Sequence, residues 1–312
     1  MNYWCLFFLG LFNLLSPLNA QFSFTESAQN MGIFHRSGSS NYGGAVSVSD
    51  FNGDGFDDIT LGSGTGDTIQ FYQNNGGLGF QRISLTPLGL GHTKQILWAD
   101  YDNDGDQDLF IATHLGQNRL YQNTGNLNLV DVTLAAGLPQ LTDPTWTAAW
   151  GDYNRDGFLD LIITNYVYDT GVQNLYGDYL LKNNGNGTFT MANQEVGLLD
   201  YDHSPLAVVF MDYNNDLWPD LFIASDKAPA KVLLENTGIG NFRDISIAAN
   251  VNQVLDGMCA AIGDYDGNGY LDIYVTNSPG LSLGGSVLLK NDSSGIFTER
   301  SNVAGVDFNG EG

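Results

Sequence analysis

Short acidic and amide side chains recur at a fixed spacing in five segments of the chain. The segments begin at Asp50, Asp100, Asp152, Asp212 and Asp264 and read DFNGDGFDD, DYDNDGDQD, DYNRDGFLD, DYNNDLWPD and DYDGNGYLD. Their starts are separated by 50, 52, 60 and 52 residues. In a tight loop, oxygens at positions 1, 3 and 5 converge on one point, and the carbonyl of position 7 and the carboxylate of position 9 can complete the shell. Hard oxygen donors in this number suit Ca²⁺, whereas Mg²⁺ gives up its waters reluctantly.

The pattern therefore predicts about five calcium sites, one in each loop. The side-chain ligands of the first three sites would be Asp50, Asn52, Asp54 and Asp58; Asp100, Asp102, Asp104 and Asp108; and Asp152, Asn154, Asp156 and Asp160. Those of the last two would be Asp212, Asn214, Asp216 and Asp220, and Asp264, Asp266, Asn268 and Asp272. The carbonyls would come from Phe56, Asp106, Phe158, Trp218 and Tyr270. Asp, Asn and Gly are also ordinary turn residues, but five copies in one register favour metal binding.

The five sites are not equivalent. The loop that begins at Asp100 carries four carboxylates and is predicted to bind calcium most tightly. Glycine at position 6 supplies the positive φ that the turn requires, but the fourth loop has Leu217 there. A positive φ at a leucine costs about 1–2 kcal/mol. We therefore predict that the fourth site is the weakest or empty.

The residues around the loops predict strands rather than helices. An apolar strand such as Lys94–Ala99 or Leu206–Met211 precedes each loop, and a strand with period-2 alternation follows position 9. A third strand ends at Asn74, Asn123, Asn183, Asn236 or Asn291, and a fourth begins at Phe80, Leu129, Phe189, Phe242 or Phe297. Four antiparallel strands in every 50–60 residues are typical of a propeller blade. The sequence predicts an all-β fold, a calcium-stabilised β-propeller of four-stranded antiparallel blades, with five blades largely present.

These segments resemble a known repeat family. Residues 42–64, which include DFNGDGFDDITLGSG, are similar to an FG-GAP repeat of the integrin α-chain propeller. The forms DYDNDGDQDLFIAT and DYNRDGFLDLIITN resemble the VCBS/FG-GAP repeats of cartilage acidic proteins and their bacterial relatives. The resemblance covers essentially all of residues 21–312. It implies a calcium-stabilised, seven-bladed propeller that is secreted or attached to a cell surface, often with a C-terminal ASPIC/UnbV domain.

Both ends of the chain carry further signals. Residues 1–20 contain a twelve-residue apolar run, Trp4 to Leu15, and end in Asn19-Ala20, which predicts a cleaved signal peptide and an exported product. No apolar stretch reaches the length of a transmembrane segment. Residues 22–33 match residues 296–306, so the N-terminal segment is interpreted as the fourth strand of a last blade. Five sets of strands 1–3 accompany six fourth strands, and we interpret residues 21–312 as a propeller truncated at its C-terminus.

The composition and net charge of the chain exclude some classes of protein and of binding partner. The chain has 35 acidic and 11 basic residues, a formal net charge of −24, with 43% hydrophobic and 12% aromatic residues. The apolar content excludes a disordered acidic tail, and the acidity excludes nucleic acid and anionic membrane surfaces as partners. Sixteen carboxylates occupy the predicted ligand positions, which leaves 19 acidic residues against 11 basic ones. The free cysteine of the predicted mature chain, Cys259, lies in an apolar run and is predicted to be buried.

Aromatic residues suggest a second functional surface on the end of the blades opposite the loops. The connection from Asn165 to Asp178 is the longest of its kind and carries Tyr166, Tyr168 and Tyr176, and Trp146 and His203 are placed in 4–1 connections at the same end. Aromatic side chains on such loops suit sugar or protein recognition, although they can equally pack on their own loops.

Three functions remain open from the sequence. The leading one is a secreted or cell-surface, non-catalytic binding or adhesion module that recognises an extracellular protein or glycan. The alternatives are a propeller-based polysaccharide lyase or hydrolase, for which His114 and Arg119 form the best pair, and a scaffold in a larger surface assembly. Neither a G-x-S-x-G nor an H-E-x-x-H motif occurs in the sequence.

Overall fold

A computed structural model describes residues 25–35, 44–64, 67–85, 91–114, 116–166, 177–198, 204–226, 231–253, 256–278 and 285–307. These residues form five four-stranded antiparallel sheets in which successive strands of the sequence are neighbours. We call each sheet a blade and number the blades one to five along the chain. The predicted all-β fold of repeated four-stranded blades is confirmed.

The strand bounds follow the repeat. Blade one contains β1 (Val46–Ser49), β2 (Asp58–Leu61), β3 (Gln70–Asn74) and β4 (Phe80–Ile83), and blade two contains β5 (His92–Ala99), β6 (Asp108–His114), β7 (Arg119–Asn123) and β8 (Leu129–Asp131). Blade three contains β9 (Thr145–Gly151), β10 (Asp160–Asn165), β11 (Tyr179–Asn183) and β12 (Phe189–Met191), followed by a helical turn α1 (Asn193–Val196). Blade four contains β13 (Ser204–Met211), β14 (Asp220–Asp226), β15 (Lys231–Asn236) and β16 (Phe242–Asp244). Blade five contains β17 (Gly257–Gly263), β18 (Asp272–Asn277), β19 (Val287–Asn291) and β20 (Phe297–Glu299), followed by α2 (Ser301–Ala304).

The hydrophobic core lies between blades rather than within them. Each of four buried clusters joins residues of two successive blades. The aromatic residue after the first loop Asp is central to these clusters: Tyr101 packs against Phe189 of the next blade at 5.6 Å between ring centroids, and Tyr153 packs against Phe242 at 6.0 Å. These recurring aromatic residues are therefore packing residues.

A backbone hydrogen bond also joins neighbouring blades at the start of strand four. The amide of Phe189 donates to the carbonyl of Ala136 in the turn that follows β8, and the amide of Phe297 donates to Ala249 after β16, both at 2.8 Å. In blade one, the amide of Phe80 donates to Met31 at 2.6 Å. The N-terminal segment 25–35 thus docks on blade one as the turn after strand four does in later blades, whereas the start of the predicted fourth strand, residues 22–24, lies outside the described residues. Residues 1–24, which include the predicted signal peptide, lie outside the described residues.

Two sequence predictions are wrong. Trp146 is the second residue of β9 rather than part of a 4–1 connection, because the strand begins at Thr145 and pairs there with Asn165. Cys259 is exposed rather than buried, because Ala260 and Ile262 are the β17 residues that pack against the cluster shared with blade four and Cys259 lies on the alternate face of the strand. Within the described part of the chain, no helix has the length and apolarity needed to cross a membrane.

Candidate metal centres and the opposite end of the blades

The five acidic loops share one backbone conformation. Each connects strands one and two of its blade, and positions 4 and 6 of each have positive φ. Position 6 is Gly55, Gly105, Gly157, Leu217 and Gly269, with φ between 72° and 95°. Position 4 is Gly53, Asn103, Arg155, Asn215 and Gly267, with φ between 57° and 73°. The positive φ at position 6 was predicted from the sequence; that at position 4 was not, although glycine and asparagine at this position are its signal.

The carboxylate at position 1 holds this conformation by accepting two backbone amides. In blade one, Asp50 accepts the amides of Asp54 at 3.0 Å and Gly55 at 2.7 Å. The same two bonds occur in the other four loops. The carboxylate or amide oxygen at position 5 accepts the amide of position 7, as between Asp104 and Asp106 at 2.9 Å. The first and fifth side chains are therefore oriented by the loop itself, before any ion binds.

The carboxylate at position 9 is buried and ties the loop to strand three. In blade three, Asp160 is fully buried and accepts the amides of Tyr153 at 3.2 Å and Asn183 at 2.8 Å. All five blades repeat this pair of bonds. Burial raises the pKa of Asp108, Asp160 and Asp220 to about 7, although the backbone donors act in the opposite direction. Burial also raises the pKa of Asp58 and Asp272.

Carboxylates converge most closely in the loops of blades two and five. The ligand atoms of Asp100, Asp102 and Asp108 lie within 4.8 Å of one another, as do those of Asp264, Asp266 and Asp272. Asp102 Oδ1 is buried and has no hydrogen-bond partner among the described residues, an arrangement that costs free energy unless a cation or another donor satisfies it. The donor set, its convergence and this unpaired oxygen fit a hard cation such as Ca²⁺.

In these two loops, the carboxylate at position 3 has a different side-chain partner in strand three. Gln122 donates to Asp102 Oδ2 at 2.7 Å, so the charge of that carboxylate stays available. In blade five, the residue at the same place is Lys290, which forms an ion pair with Asp266 Oδ2. A bound cation would have to compete with this ammonium group. In the other three loops position 3 is Asn52, Asn154 or Asn214.

The fourth loop adopts the common conformation in spite of its leucine. Leu217 has φ 72°, its amide donates to Asp212 at 2.8 Å and its side chain is 67% exposed. The positive φ that the sequence argument anticipated is confirmed. The weaker calcium binding derived from it stays a prediction.

The asparagine that ends strand three is a functional position that the sequence argument did not assign. Asn183, Asn236 and Asn291 are almost fully buried. Each donates its side-chain amide to the residue after position 1 of the preceding loop, namely Tyr101, Tyr153 and Tyr213, at 2.7–2.8 Å. The repetition of asparagine at this place was visible in the sequence, but its partner lies about 80 residues away.

At the opposite end of the blades, described aromatic residues form a packed cluster. Trp146 contacts His114 at 5.4 Å and Tyr166 at 5.3 Å between ring centroids, and Lys94 Nζ lies 4.1 Å from the centre of its ring. Tyr166 is 8% exposed and donates its hydroxyl to Asp226 at 2.6 Å. Of the predicted ligand-face residues, Trp146 is half-buried and Tyr166 packs between blades. Tyr168, Tyr176 and His203 lie outside the described residues.

The candidate catalytic pair is not assembled as a unit. His114 is 6% exposed, and burial, with Lys94 and His92, lowers its pKa to about 4. Arg119 forms an exposed ion pair with Asp131 at 3.1 Å.

The repeated sheets and their acidic loops define a class of protein, and comparison with known families agrees. The FG-GAP-like repeat family matches residues 50–111, 100–163 and 212–275, and the FG-GAP repeat matches residues 145–188. The chain belongs to the FG-GAP-like repeat family, whose repeats here form β-propeller blades.

Individual relatives are more distant. The chain is 23% identical to cartilage acidic protein 1 of Xenopus tropicalis over 187 residues and 24% identical to that of Mus musculus over 191 residues. These matches cover 58% and 59% of this chain but only 28% of each relative. A solved lectin from Agrocybe aegerita, described as recognising non-reducing terminal N-acetylglucosamine, is similar with a TM-score of 0.53 and 20% identity, over 88% of this chain and 68% of the lectin. The similarity between this chain and the lectin concerns the fold alone.

Proposed function

We propose that the protein is a secreted or cell-surface binding module without catalytic activity, whose blades are stabilised by one Ca²⁺ in each acidic loop. The observation that carries the calcium part is the convergence of carboxylates in the loops of blades two and five, with Asp102 Oδ1 buried and unpaired in the first of them. Extracellular fluid supplies Ca²⁺ at the concentrations that suit sites with dissociation constants of about 10⁻⁴ to 10⁻³ M. The extracellular location is supported by the relatives, the cartilage acidic proteins.

The binding part of the proposal concerns the end of the blades opposite the loops. Antiparallel order places all five acidic loops at one end of the blades and the 2–3 and 4–1 connections at the other. The opposite end carries the Trp146 cluster and the longest 2–3 connection. A lectin of similar fold supports a glycan as ligand, and an extracellular protein is the other partner class for such a surface.

The calcium sites are tested by metal stoichiometry in matched variants. We expect about five Ca²⁺ per chain by equilibrium dialysis and metal analysis. Asp102→Asn removes a charge from a proposed ligand and should lower the stoichiometry or affinity at that loop. Asp106→Asn removes the same charge four residues away but keeps the carbonyl of position 7, so it should bind calcium like the unchanged protein. Equal effects of the two variants, or no bound calcium at all, would contradict the proposal.

The binding activity is tested on a glycan array and on extracellular proteins, with turnover measured in parallel. Retention of a glycan or protein without cleavage, and weaker retention by Trp146→Ala of unchanged calcium content, is the expected result. Cleavage of an acidic polysaccharide would instead favour the propeller-based lyase or hydrolase, and retention of neither ligand class would favour a scaffold.

A further inference from the structure

A hydrogen-bond chain runs from blade two to blade three through both acidic loops. The amide of Tyr101 donates to Asp108, the ninth residue of the blade-two loop, at 3.2 Å. The carbonyl of Tyr101 accepts the side-chain amide of Asn183 at 2.8 Å. The backbone amide of Asn183 donates to Asp160, the ninth residue of the blade-three loop, at 2.8 Å. The backbone of one tyrosine and one asparagine residue therefore connect the two buried carboxylates.

The chain continues without a break to blade five. In each step a position-9 carboxylate accepts the amide of a tyrosine, and the carbonyl of that tyrosine accepts the asparagine of the next blade. The continuation is Asp160, Tyr153, Asn236, Asp220, Tyr213, Asn291, Asp272 and Tyr265, joined at 2.7–3.2 Å. The aspartates and asparagines of this chain are at most 1% exposed, so water does not compete for these bonds and the dipoles polarise one another.

A second, exposed link joins the same loops through position 4. The side-chain amide of Asn103 donates to the carbonyl of Gly157 in the next loop at 3.0 Å, and that of Asn215 donates to Gly269 at 2.8 Å. Between blades three and four, the guanidinium of Arg155 lies 5.2 Å from the ring centre of Trp218. Each of the three junctions from blade two to blade five thus has a buried link and an exposed link.

The junction between blades one and two has neither link. Position 4 of the first loop is Gly53, which has no side chain to reach the next loop. Asn123 is buried and its side-chain amide donates to Gln107 of its own blade at 3.2 Å, a bond that the asparagines of blades three to five also make in addition to their link. Asn123 and Phe51, both described, share no hydrogen bond. Among the described residues, four loops are therefore linked and one loop lies outside the chain of links.

We propose that calcium binding is cooperative among the loops of blades two to five and that the loop of blade one binds independently. The inference rests on the proposed calcium sites. An ion that holds Asp160 in place also holds the backbone amides of Tyr153 and Asn183. Through the hydrogen bonds of these two residues it also restrains the groups that donate to Asp220 and Asp108. The neighbouring loops then lose less conformational freedom when they bind, which raises their affinity, and the effect is reciprocal between neighbours.

The test disables one loop at a time with the same charge change. Asp212→Asn with Asp216→Asn disables the linked loop of blade four, and Asp50→Asn with Asp54→Asn disables the unlinked loop of blade one. Each double variant loses two charges at positions 1 and 5, so a general electrostatic effect would be equal in both. Calcium binding at the remaining sites is then measured by calorimetry. We expect the dissociation constants of the neighbouring sites to rise about fivefold or more in the blade-four variant and to stay within twofold in the blade-one variant.

The links themselves are tested in the otherwise unchanged protein. Asn236→Ala keeps the backbone amide that Asp220 accepts but removes the amide that reaches Tyr153, and we expect the apparent Hill coefficient to fall. Asn103→Gly and Asn215→Gly together remove two of the three exposed links, and the first and fifth loops already carry glycine at position 4, so these variants are expected to fold. Equal effects of the two loop deletions, or unchanged cooperativity in both link variants, would overturn the inference. Failure of the unchanged protein to bind calcium would instead overturn the proposed function.

Discussion

At the scale of single residues, the aspartate carboxylates of one loop have two different structural roles, which depend on the backbone amides that donate to them. Asp50 at position 1 shapes its own loop by accepting amides four and five residues ahead. Asp58 at position 9 accepts the amide of Asn74, sixteen residues away in strand three. Each carboxylate oxygen has two lone pairs, so these bonds leave acceptor capacity for a cation. Loop shape and the proposed metal binding can therefore use the same side chains without excluding one another.

The partner of position 3 is expected to set the affinity of individual loops. Replacing Lys290 by glutamine removes the ion pair with Asp266 and reproduces the Gln122–Asp102 pair of blade two. A partly exposed ion pair contributes about 0.2–1 kcal/mol, so calcium affinity at the fifth loop should rise by up to about fivefold. The reciprocal change, Gln122→Lys, should weaken the second loop by a similar factor. Calcium titration of both variants measures the effect, and changes of the same sign in both would contradict this role of position 3.

Position 6 provides a second pair of matched substitutions. Leu217→Gly should stabilise the metal-free protein by about 1 kcal/mol, because a leucine at positive φ costs about 1–2 kcal/mol and the added freedom of glycine in the unfolded chain offsets part of the gain. Gly157→Leu should destabilise it by a similar amount. A Cβ at Gly157 would meet no atom within 4 Å, so the cost there is conformational. Urea unfolding in the presence of chelator measures both, and a stabilising Gly157→Leu would contradict the expectation.

His114 is expected to contribute to acid sensitivity. Its pKa is lowered to about 4 by burial and by the neighbouring Lys94 and His92, from an unfolded value near 6.5. Between these values the unfolded chain binds the proton and the folded chain does not, so the contribution of His114 to stability falls as the pH drops from about 6.5 to 4. The buried carboxylates of raised pKa act in the opposite direction over this range, so the variant is compared with the unchanged protein: in His114→Gln the urea midpoint at pH 4, relative to that at pH 6.5, should be higher. Identical pH profiles would show that His114 does not take part.

At the scale of elements, the interface between successive blades depends on the turn that follows strand four. The segment 25–35 supplies this turn for blade one, and a Cβ at Gly32, with φ 85°, would lie 2.5 Å from the carbonyl of Phe80. Gly305 occupies the same place after blade five with φ 69°, and a Cβ there would meet no atom within 4 Å. The two glycines share a backbone conformation and differ in their surroundings.

Replacing each of these two glycines by alanine separates the loss of N-terminal docking from the free-energy cost of a positive φ. Gly32→Ala should release the N-terminal segment and lower stability by clearly more than Gly305→Ala, whose cost is about 1 kcal/mol from the positive φ alone. Proteolysis of the N-terminal segment and urea unfolding of both variants measure the difference. Similar costs, with the segment still protected, would show that the segment does not need the close approach at Gly32.

The local sequence pattern predicted the strands well, and the features that it missed depend on long-range contacts. The first residues of β4, β12 and β20 agree with the sequence prediction, because turn residues precede each of these apolar strands. The role of Asn183 could not be predicted, because its partner Tyr101 is 82 residues away and becomes a neighbour only when blades two and three pack. The exposure of Cys259 depends likewise on which blade faces β17, and not on the apolar run around it.

At the scale of the whole molecule, the net charge of −24 is concentrated where the ions would bind. Sixteen of the 35 acidic residues occupy the proposed ligand positions, all at one end of the blades. Without a cation this arrangement is self-repelling. The ions of sodium chloride screen exposed charges but do not reach the buried carboxylates at position 9. The metal-free protein should therefore gain less stability from sodium chloride than from calcium at the same ionic strength.

The number of ions that stabilise the fold can be counted from the calcium dependence of its stability. One site with a dissociation constant of about 10⁻⁴ M adds about 1.4 kcal/mol at 1 mM Ca²⁺, and five such sites about 7 kcal/mol. Above saturation, each tenfold rise in calcium adds about 1.4 kcal/mol for every ion that unfolding releases. The free energy of unfolding, measured in urea at constant ionic strength, should thus rise by about 7 kcal/mol per decade. Asp152→Asn with Asp156→Asn should lower this slope by one ion, whereas Asp106→Asn should leave it unchanged, and a slope near zero in the unchanged protein would show that calcium does not hold the blades together.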